Sequence, residues 1–192
     1  VHAARLKVVV PSNPVDAKGL LLTSIFDDDP VVFVEMSGLY YSGKAEVPAG
    51  DHRVPLGKAR VARAGSDVTV LTYGRQVVES LSVAEQLAAE GVDVEVIDLR
   101  TLNPLDTETV LGSVARTKRA VIVHEAVRRN GFGAELAATV HEELFGELAA
   151  PVRRVTAPDV PVPYAKTLED AFLPGPARIE AAVRDVVGLG GK

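Results

Sequence analysis

The sequence predicts an α/β fold with a mostly parallel open sheet and helices on both faces. Two observations carry this. Short β-branched runs alternate with longer amphipathic stretches, which is the pattern of βαβ units and hence of a sheet covered on both sides. The composition is ordinary for a globular chain: 192 residues, 47% hydrophobic and 24% charged, enough to bury a sizeable core without cross-links.

Taken in order, Lys7–Val10 is a short β-branched run stopped by Pro11. Pro14–Phe26 reads as a helix with Leu20, Leu21, Leu22 and Ile25 as its apolar stripe. Three like charges and a proline at Asp27-Asp-Asp-Pro30 end it. Val31–Glu35 is a near-continuous apolar strand. Residues 36–56 lose periodicity, carry Gly38, Gly43, Pro48, Gly50 and Pro55, and read as a linker or long loop. A second unit starts near Leu56. Its strands are expected at Ala59–Arg63, Val68–Tyr73, Val94–Leu99, Arg119–His124 and Val152–Val155. Its helices are expected at Gln76–Glu90 with Gly91 as the stop, Thr107–Val114 capped by Asp106, Phe132–Leu148, and Pro176–Val187. Residues 1–50 supply only two strands and one helix, so they read as the tail of a domain; residues 56–192 read as a domain with its own core.

Several classes of chemistry are excluded. The chain has no cysteine, so it has no disulfide, thiolate metal ligand or cysteine nucleophile, which fits a cytoplasmic protein. A net charge of −5 argues against broad nucleic-acid binding and would suit a basic partner. No apolar run approaches the ~20 residues a membrane span needs. Residue 1 is valine and the only methionine is Met36, so the chain reads as a processed or trimmed product or an isolated domain. There is no Gly-x-Ser-x-Gly elbow, His-Glu-x-x-His zinc motif, Walker phosphate loop or Gly-Asp-Gly start of a thiamine-diphosphate metal motif.

The most informative stretch is Val121-Ile-Val-His-Glu-Ala-Val-Arg-Arg-Asn-Gly-Phe-Gly133. A buried β run ends in His124-Glu125, two arginines follow, and a glycine-flanked turn opens a helix. Carboxyl ends of strands are where open α/β sheets meet ligands and partners. His124 could serve acid–base chemistry or a structural hydrogen bond, and its neighbour Glu125 should point to the opposite face. Gly131-Phe-Gly133 could cradle a phosphate at a helix N-terminus. The dinucleotide fingerprint, however, needs a glycine where Leu136 stands, so a packing turn is the better reading. Arg128 and Arg129 could bind an anion or an acidic partner, or remain solvated. The acidic loop Asp27–Asp29 could ligate a hard cation or simply solvate a helix end.

Read together, Lys7-Val-Val-Val-Pro-Ser-Asn-Pro-Val-Asp-Ala-Lys-Gly-Leu20, Asp28-Asp-Pro-Val-Val-Phe-Val-Glu35, Gly65-Ser-Asp-Val-Thr-Val-Leu-Thr-Tyr-Gly74, Val96-Ile-Asp-Leu-Arg-Thr-Leu-Asn-Pro-Leu-Asp106, His124-Glu-Ala126, Gly131-Phe-Gly-Ala-Glu135 and Arg154-Val-Thr-Ala-Pro-Asp-Val-Pro-Val-Pro-Tyr-Ala165 resemble the beta subunit of the thiamine-diphosphate-dependent 2-oxo acid dehydrogenase, of pyruvate or branched-chain type. The resemblance runs from about residue 5 to 187. It implies that residues 1–50 are the end of a pyrimidine-binding domain and that the rest is a transketolase C-terminal-type domain. The family's pyrimidine-binding glutamate and active-site histidine fall upstream of residue 1. No catalytic or cofactor-binding residue is therefore assigned, and His124 does not inherit that role.

The resemblance further implies oxidative decarboxylation of a 2-oxo acid with acyl transfer to a lipoyl arm. Thiamine diphosphate and Mg would be held by the full enzyme rather than by this chain alone. It implies a monovalent-cation (potassium) site whose loop matches Ser24, Asp27 and Asp29, partly through backbone carbonyls; the other ligands fall upstream of residue 1, so weak or absent binding is expected here. The implied partners are an alpha subunit, a second beta subunit, and the basic subunit-binding domain of a lipoyl acyltransferase, with Asp159 the first acid to test. The chain departs from the family at Met36-Ser-Gly-Leu-Tyr-Tyr41, where basic residues usually flank the Leu-Tyr pair. Transketolase, deoxyxylulose-phosphate synthase, an oxo acid ferredoxin oxidoreductase and a non-catalytic assembly module are the alternatives.

Overall fold

The computed structural model describes residues 1, 5–42, 44–188 and 190. The strands are β1 (Lys7–Val9), β2 (Val31–Phe33), β3 (Arg60–Arg63), β4 (Val68–Thr72), β5 (Val94–Asp98), β6 (Thr101–Asn103), β7 (Ala120–Val127) and β8 (Arg153–Ala157). The helices are α1 (Pro14–Ile25), α2 (Arg75–Ala88), α3 (Thr107–Thr117), α4 (Phe132–Leu144), α5 (Lys166–Phe172) and α6 (Pro176–Val186).

The main sheet has the order β3-β5-β4-β7-β8. All its pairings are parallel except that of the edge strand β3. Alternate residues of each strand enter opposite layers. Val68, Val70, Val94, Val96, Val121 and Val123 pack with α2 and α6. Leu71, Ile97, Ala120 and Ile122 pack with α3 and α4. Both faces are thus apolar and covered, which is why the strands read as continuous hydrophobic runs.

The smaller sheet has the order β2-β1-β6. β1 runs parallel to β2 and antiparallel to β6, and β6 comes from the second unit. Val8 and Val10 also enter the layer that holds α3 and α4. The two stretches separated by the expected linker are thus joined by a strand pairing and a shared core.

The structure corrects some expected boundaries. α4 stops at Leu144, not Leu148. Phe145 leaves helical geometry, Gly146 takes φ +89°, and the Glu147 amide turns back to the Leu144 carbonyl at 3.0 Å. Leu148 packs on the core from this extra turn. β7 continues past His124 to Val127. Residues 36–56 contain a 3-10 turn at Ser37–Leu39, and their far end packs on α1. There the Val54 amide donates to the Gly19 carbonyl at 3.1 Å, and a Cβ on Gly19 would stand 2.5 Å from Val54 Cγ2. Asp106 caps α3 as expected, accepting from the Thr109 amide at 3.2 Å. It also accepts from the Ala59 amide at 2.9 Å, tying the start of β3 to α3.

Candidate functional site

The chain runs from β4 to β5 on one side, through α2 on one face. It then returns through α3 on the other face to β7 on the opposite side of β4. The carboxyl ends of β4 and β7 therefore flank a switch point, where such sheets open a crevice. A cavity of about 570 Å³ lies there, lined by Arg75 at the start of α2, Glu125 near the end of β7, Glu35 and Met36, and Lys166, Glu169 and Phe172 of α5. The Glu125 carboxylate accepts from the buried Gln76 amide at 3.2 Å. Arg75 pairs with Glu79 at 3.3 Å, and Lys166 pairs with Asp170. With both cations engaged and three carboxylates on the wall, the crevice is not built for a phosphate.

Met36 is part of this lining. The Arg75 amide donates to its sulfur at 3.1 Å. Gly74, at φ +60°, allows this approach, since a Cβ there would lie 2.5 Å from Sδ. Met36 thus seats the first turn of α2 under a thioether. Nothing in the local sequence announces this contact, which spans the two units.

His124 is fully buried. Its ring stacks on Tyr73 with centroids 6.2 Å apart and 8° between planes, and Phe132 meets Tyr73 edge-on. Nε2 accepts the Gly133 amide at 3.2 Å, so Nδ1 carries the ring proton. Gly131 and Gly133 let α4 sit on the ring: a Cβ on Gly133 would be 2.3 Å from Nε2. Burial, then the charge of Arg154, push His124 down to about 4, so it is neutral at physiological pH. Burial also pushes the Tyr73 hydroxyl up, with Glu125 adding to the effect. The glycine pair is a packing device for a structural histidine, and Glu125 points the other way, into the crevice.

The Asp98–Asp106 segment joins the two units through charge. Asp98 accepts from Ser12 and from Arg60 Nη2 at 3.2 Å. Buried Asp16 at the start of α1 pairs with Arg100 Nη1 at 2.9 Å and Arg60 Nε at 3.2 Å. Arg100, in a left-handed conformation at φ +56°, also donates to the Lys58 and Ala59 carbonyls at 3.0 and 3.2 Å. Burial raises the Asp98 carboxyl, and Ser12 and Arg60 oppose that shift.

The acidic loop after α1 makes its own contacts. The Ser24 hydroxyl donates to the Leu20 carbonyl at 2.7 Å, which turns it into its own helix. Asp27 and Asp29 both meet Lys7 Nζ, at 2.6 and 3.1 Å. Among the described residues no group of three or more His, Cys, Asp or Glu is arranged to hold a metal ion. Arg128 and Arg154 each donate to the other's carbonyl, at 3.1 and 3.2 Å. The Arg129 amide donates to Asp159 at 3.2 Å, and its guanidinium stands 3.8 Å from the same carboxylate.

The fold and crevice define a doubly wound α/β domain, extended by a short second sheet, whose prominent polar residues build structure. The chain belongs to the family described as transketolase, C-terminal domain, which matches residues 57–179. It is 46% identical over 191 residues to the beta subunit of acetoin:2,6-dichlorophenolindophenol oxidoreductase from Cupriavidus necator, covering 100% of this chain and 56% of the relative. It is 46% identical to the 2-oxoisovalerate dehydrogenase subunit beta of Pseudomonas aeruginosa (95% and 55% covered). It is 44% identical to the pyruvate dehydrogenase E1 component subunit beta of Bacillus subtilis (95% and 56% covered). A solved split-gene transketolase, described as an inactive beta4 tetramer, superposes with TM-score 0.77 at 27% identity, covering 97% of this chain and 59% of that one. The chain spans about half the length of the curated relatives it matches.

Proposed function

We propose that this chain is the C-terminal portion of the beta subunit of a thiamine-diphosphate-dependent 2-oxo acid dehydrogenase, contributing mainly subunit assembly and docking. The observation that carries the reading is the similarity to such beta subunits over 95% of the chain. In the assembled enzyme thiamine diphosphate with Mg supplies the decarboxylation chemistry. We assign its site to the full enzyme rather than to this chain alone. No step of the reaction is assigned to this chain, and its place is with such complexes in the cytoplasm.

Two uncovered apolar surfaces support the assembly role. The strap between β8 and α5 exposes Val160, Val162 and Tyr164, with Tyr164 about as exposed as an isolated residue at 103%. Pro158, Pro161 and Pro163 remove amides that would pair it into a sheet. We assign this strap to contact with an alpha subunit or a second beta subunit. On the first unit, Ile25 at the end of α1, Phe26 just after it, and Val32 and Val34 around the edge strand β2 are exposed, as expected for part of a pyrimidine-binding domain awaiting its other strands. Asp159 remains the acid assigned to the acyltransferase's basic domain, which would have to displace Arg129.

The C. necator relative favours a second substrate class, acetoin, at the same identity as the 2-oxoisovalerate enzyme. The test is reconstitution with the alpha-type subunit from the same source, with and without an upstream half-domain. Turnover of pyruvate, a branched-chain 2-oxo acid and acetoin is followed with dichlorophenolindophenol. A complex forming in both cases, with turnover only when the upstream half is present, is expected. Turnover by this chain with alpha alone refutes the assembly role, and no complex at all refutes the subunit reading.

A further inference from the structure

The crevice at the carboxyl ends of β4 and β7 carries more acid than its own cations neutralise. Arg75 is matched by Glu79 at 3.3 Å, and Lys166 by Glu169 at 3.6 Å and by Asp170. Glu35 and Glu125 line the same cavity and form no ion pair among the described residues. A second observation points the same way. Gln76, 1% exposed, reaches this wall from the first turn of α2. Its Nε2 donates to Glu125 Oε1 at 3.2 Å, and its Oε1 has no partner among the described residues. Turning the amide over would set that oxygen against a carboxylate, so the unpaired acceptor stays beside Glu125. Buried acceptors are costly to leave unpaired. Together these oxygens suit a positive group with several N–H donors.

The adjoining space says what carries that group. A cavity of about 450 Å³ borders the crevice, sharing Glu35 and Met36, and Pro11, Pro14, Leu39 and Val78 give it apolar walls. A free ion gains nothing from such walls, whereas a peptide segment does. We propose that an arginine- or lysine-bearing segment of the alpha subunit fills this groove, with its cation on Glu125 and Glu35 and a neighbouring apolar side chain in the second cavity. This rests on the subunit reading above and deepens it by naming the partner's chemistry. Arginine suits best, because its five donors can serve a carboxylate and an amide oxygen at once. Val162, 71% exposed, borders the crevice from the strap, so the groove continues the surface assigned to subunit contact. A second beta subunit is the poorer occupant. A two-fold contact sets the same patch of both copies face to face, which here brings carboxylates together.

The chain has no cysteine, so Ser37→Cys, at an exposed position in the crevice lining, gives a single attachment point for a photo-crosslinker. The labelled chain is irradiated in complex with the alpha-type subunit from the same source, and the joined peptides are read by mass spectrometry. A crosslink to an alpha-subunit segment containing arginine or lysine is expected. Calorimetry at several salt concentrations measures association. Glu125→Gln should weaken it on the order of 30-fold or more and flatten its salt dependence. Glu35→Gln should slow association and flatten the salt dependence as well. Glu142→Gln, exposed on α4 across the sheet, should match the wild type. A crosslink to a second copy of this chain, or to an alpha-subunit segment with no basic residue, overturns the proposal. So does unchanged affinity in Glu125→Gln. Each of these leaves the subunit reading standing, since the complex still forms; no complex with the wild-type chain refutes that reading and this inference with it. If Glu125→Gln fails to fold, Glu35→Gln and the crosslink still decide.

Discussion

His124 should give the fold a distinct acid response. Its ring is fully buried and accepts a hydrogen bond from the Gly133 amide at the start of α4. Protonation would place a second N–H donor against that amide. Burial and the nearby Arg154 lower the folded-state value from 6.5 to about 4. The unfolded chain therefore binds the proton more readily than the folded one, and stability falls as pH drops below about 6.5. At 1.36 kcal/mol per pH unit, the drop from 6.5 to about 4 is worth about 3 kcal/mol, fully present above about pH 7 and spent by about pH 4. Asp98, whose carboxyl is raised by burial, works in the opposite sense, so the measurement is best made as a difference. His124→Gln keeps an acceptor for the Gly133 amide and removes the titration. Urea unfolding of both proteins between about pH 7 and pH 4 should show the wild type's advantage shrinking by about 3 kcal/mol. A constant difference across that range would refute the linkage.

Other consequences follow from the same geometry. Gly133→Ala should cost about 1–3 kcal/mol, since its Cβ would fall 2.3 Å from His124 Nε2 and 3.0 Å from Ile122 Cγ2. Gly112→Ala, on the exposed side of α3 with nothing within 4 Å, should gain about 0.5–1 kcal/mol; chemical denaturation reads both. Arg100→Met leaves Asp16 buried with one fewer cation and should cost about 3–5 kcal/mol. A double-mutant cycle with Asp16→Asn should show strong coupling, and additive losses would deny the junction its role. Val162→Ser with Tyr164→Ser should leave the unfolding midpoint of the isolated chain close to wild type and weaken subunit association in sedimentation. Unchanged association would remove the strap from the interface.

Much of this protein is legible from local pattern. The helix α2 announces itself by apolar spacing, α3 by the Asp106 cap, and β4, β5 and β7 by unbroken β-branched runs that need cover on both faces. The strands β1 and β2 and the helix between them also stand where proline and the aspartate run punctuate the chain. α5 leaves no local signal because its helix follows a proline-rich strap that exposes its apolar residues, which leaves no periodicity to read. β6 was hidden because three residues carry no period, and their partner is β1, some ninety residues earlier in the chain. At the site, local sequence singled out His124, Glu125 and the glycine pair. It could not show that the glycines serve the histidine, or that Glu125 looks into a crevice walled by α5.

The sequence by itself determined the alternation of strands and helices and the two apolar faces, because those depend on periodicity and composition within a few turns of chain; the family came from the resemblance of its ordered segments. Tertiary structure decided which charges meet: Asp16 with Arg60 and Arg100, Asp98 with Ser12, Met36 with the start of α2, and Lys7 with Asp27 and Asp29. Those pairings span twenty to eighty-six residues. A polar side chain far from its partner in sequence carries no local mark of the charge that burial will force it to find.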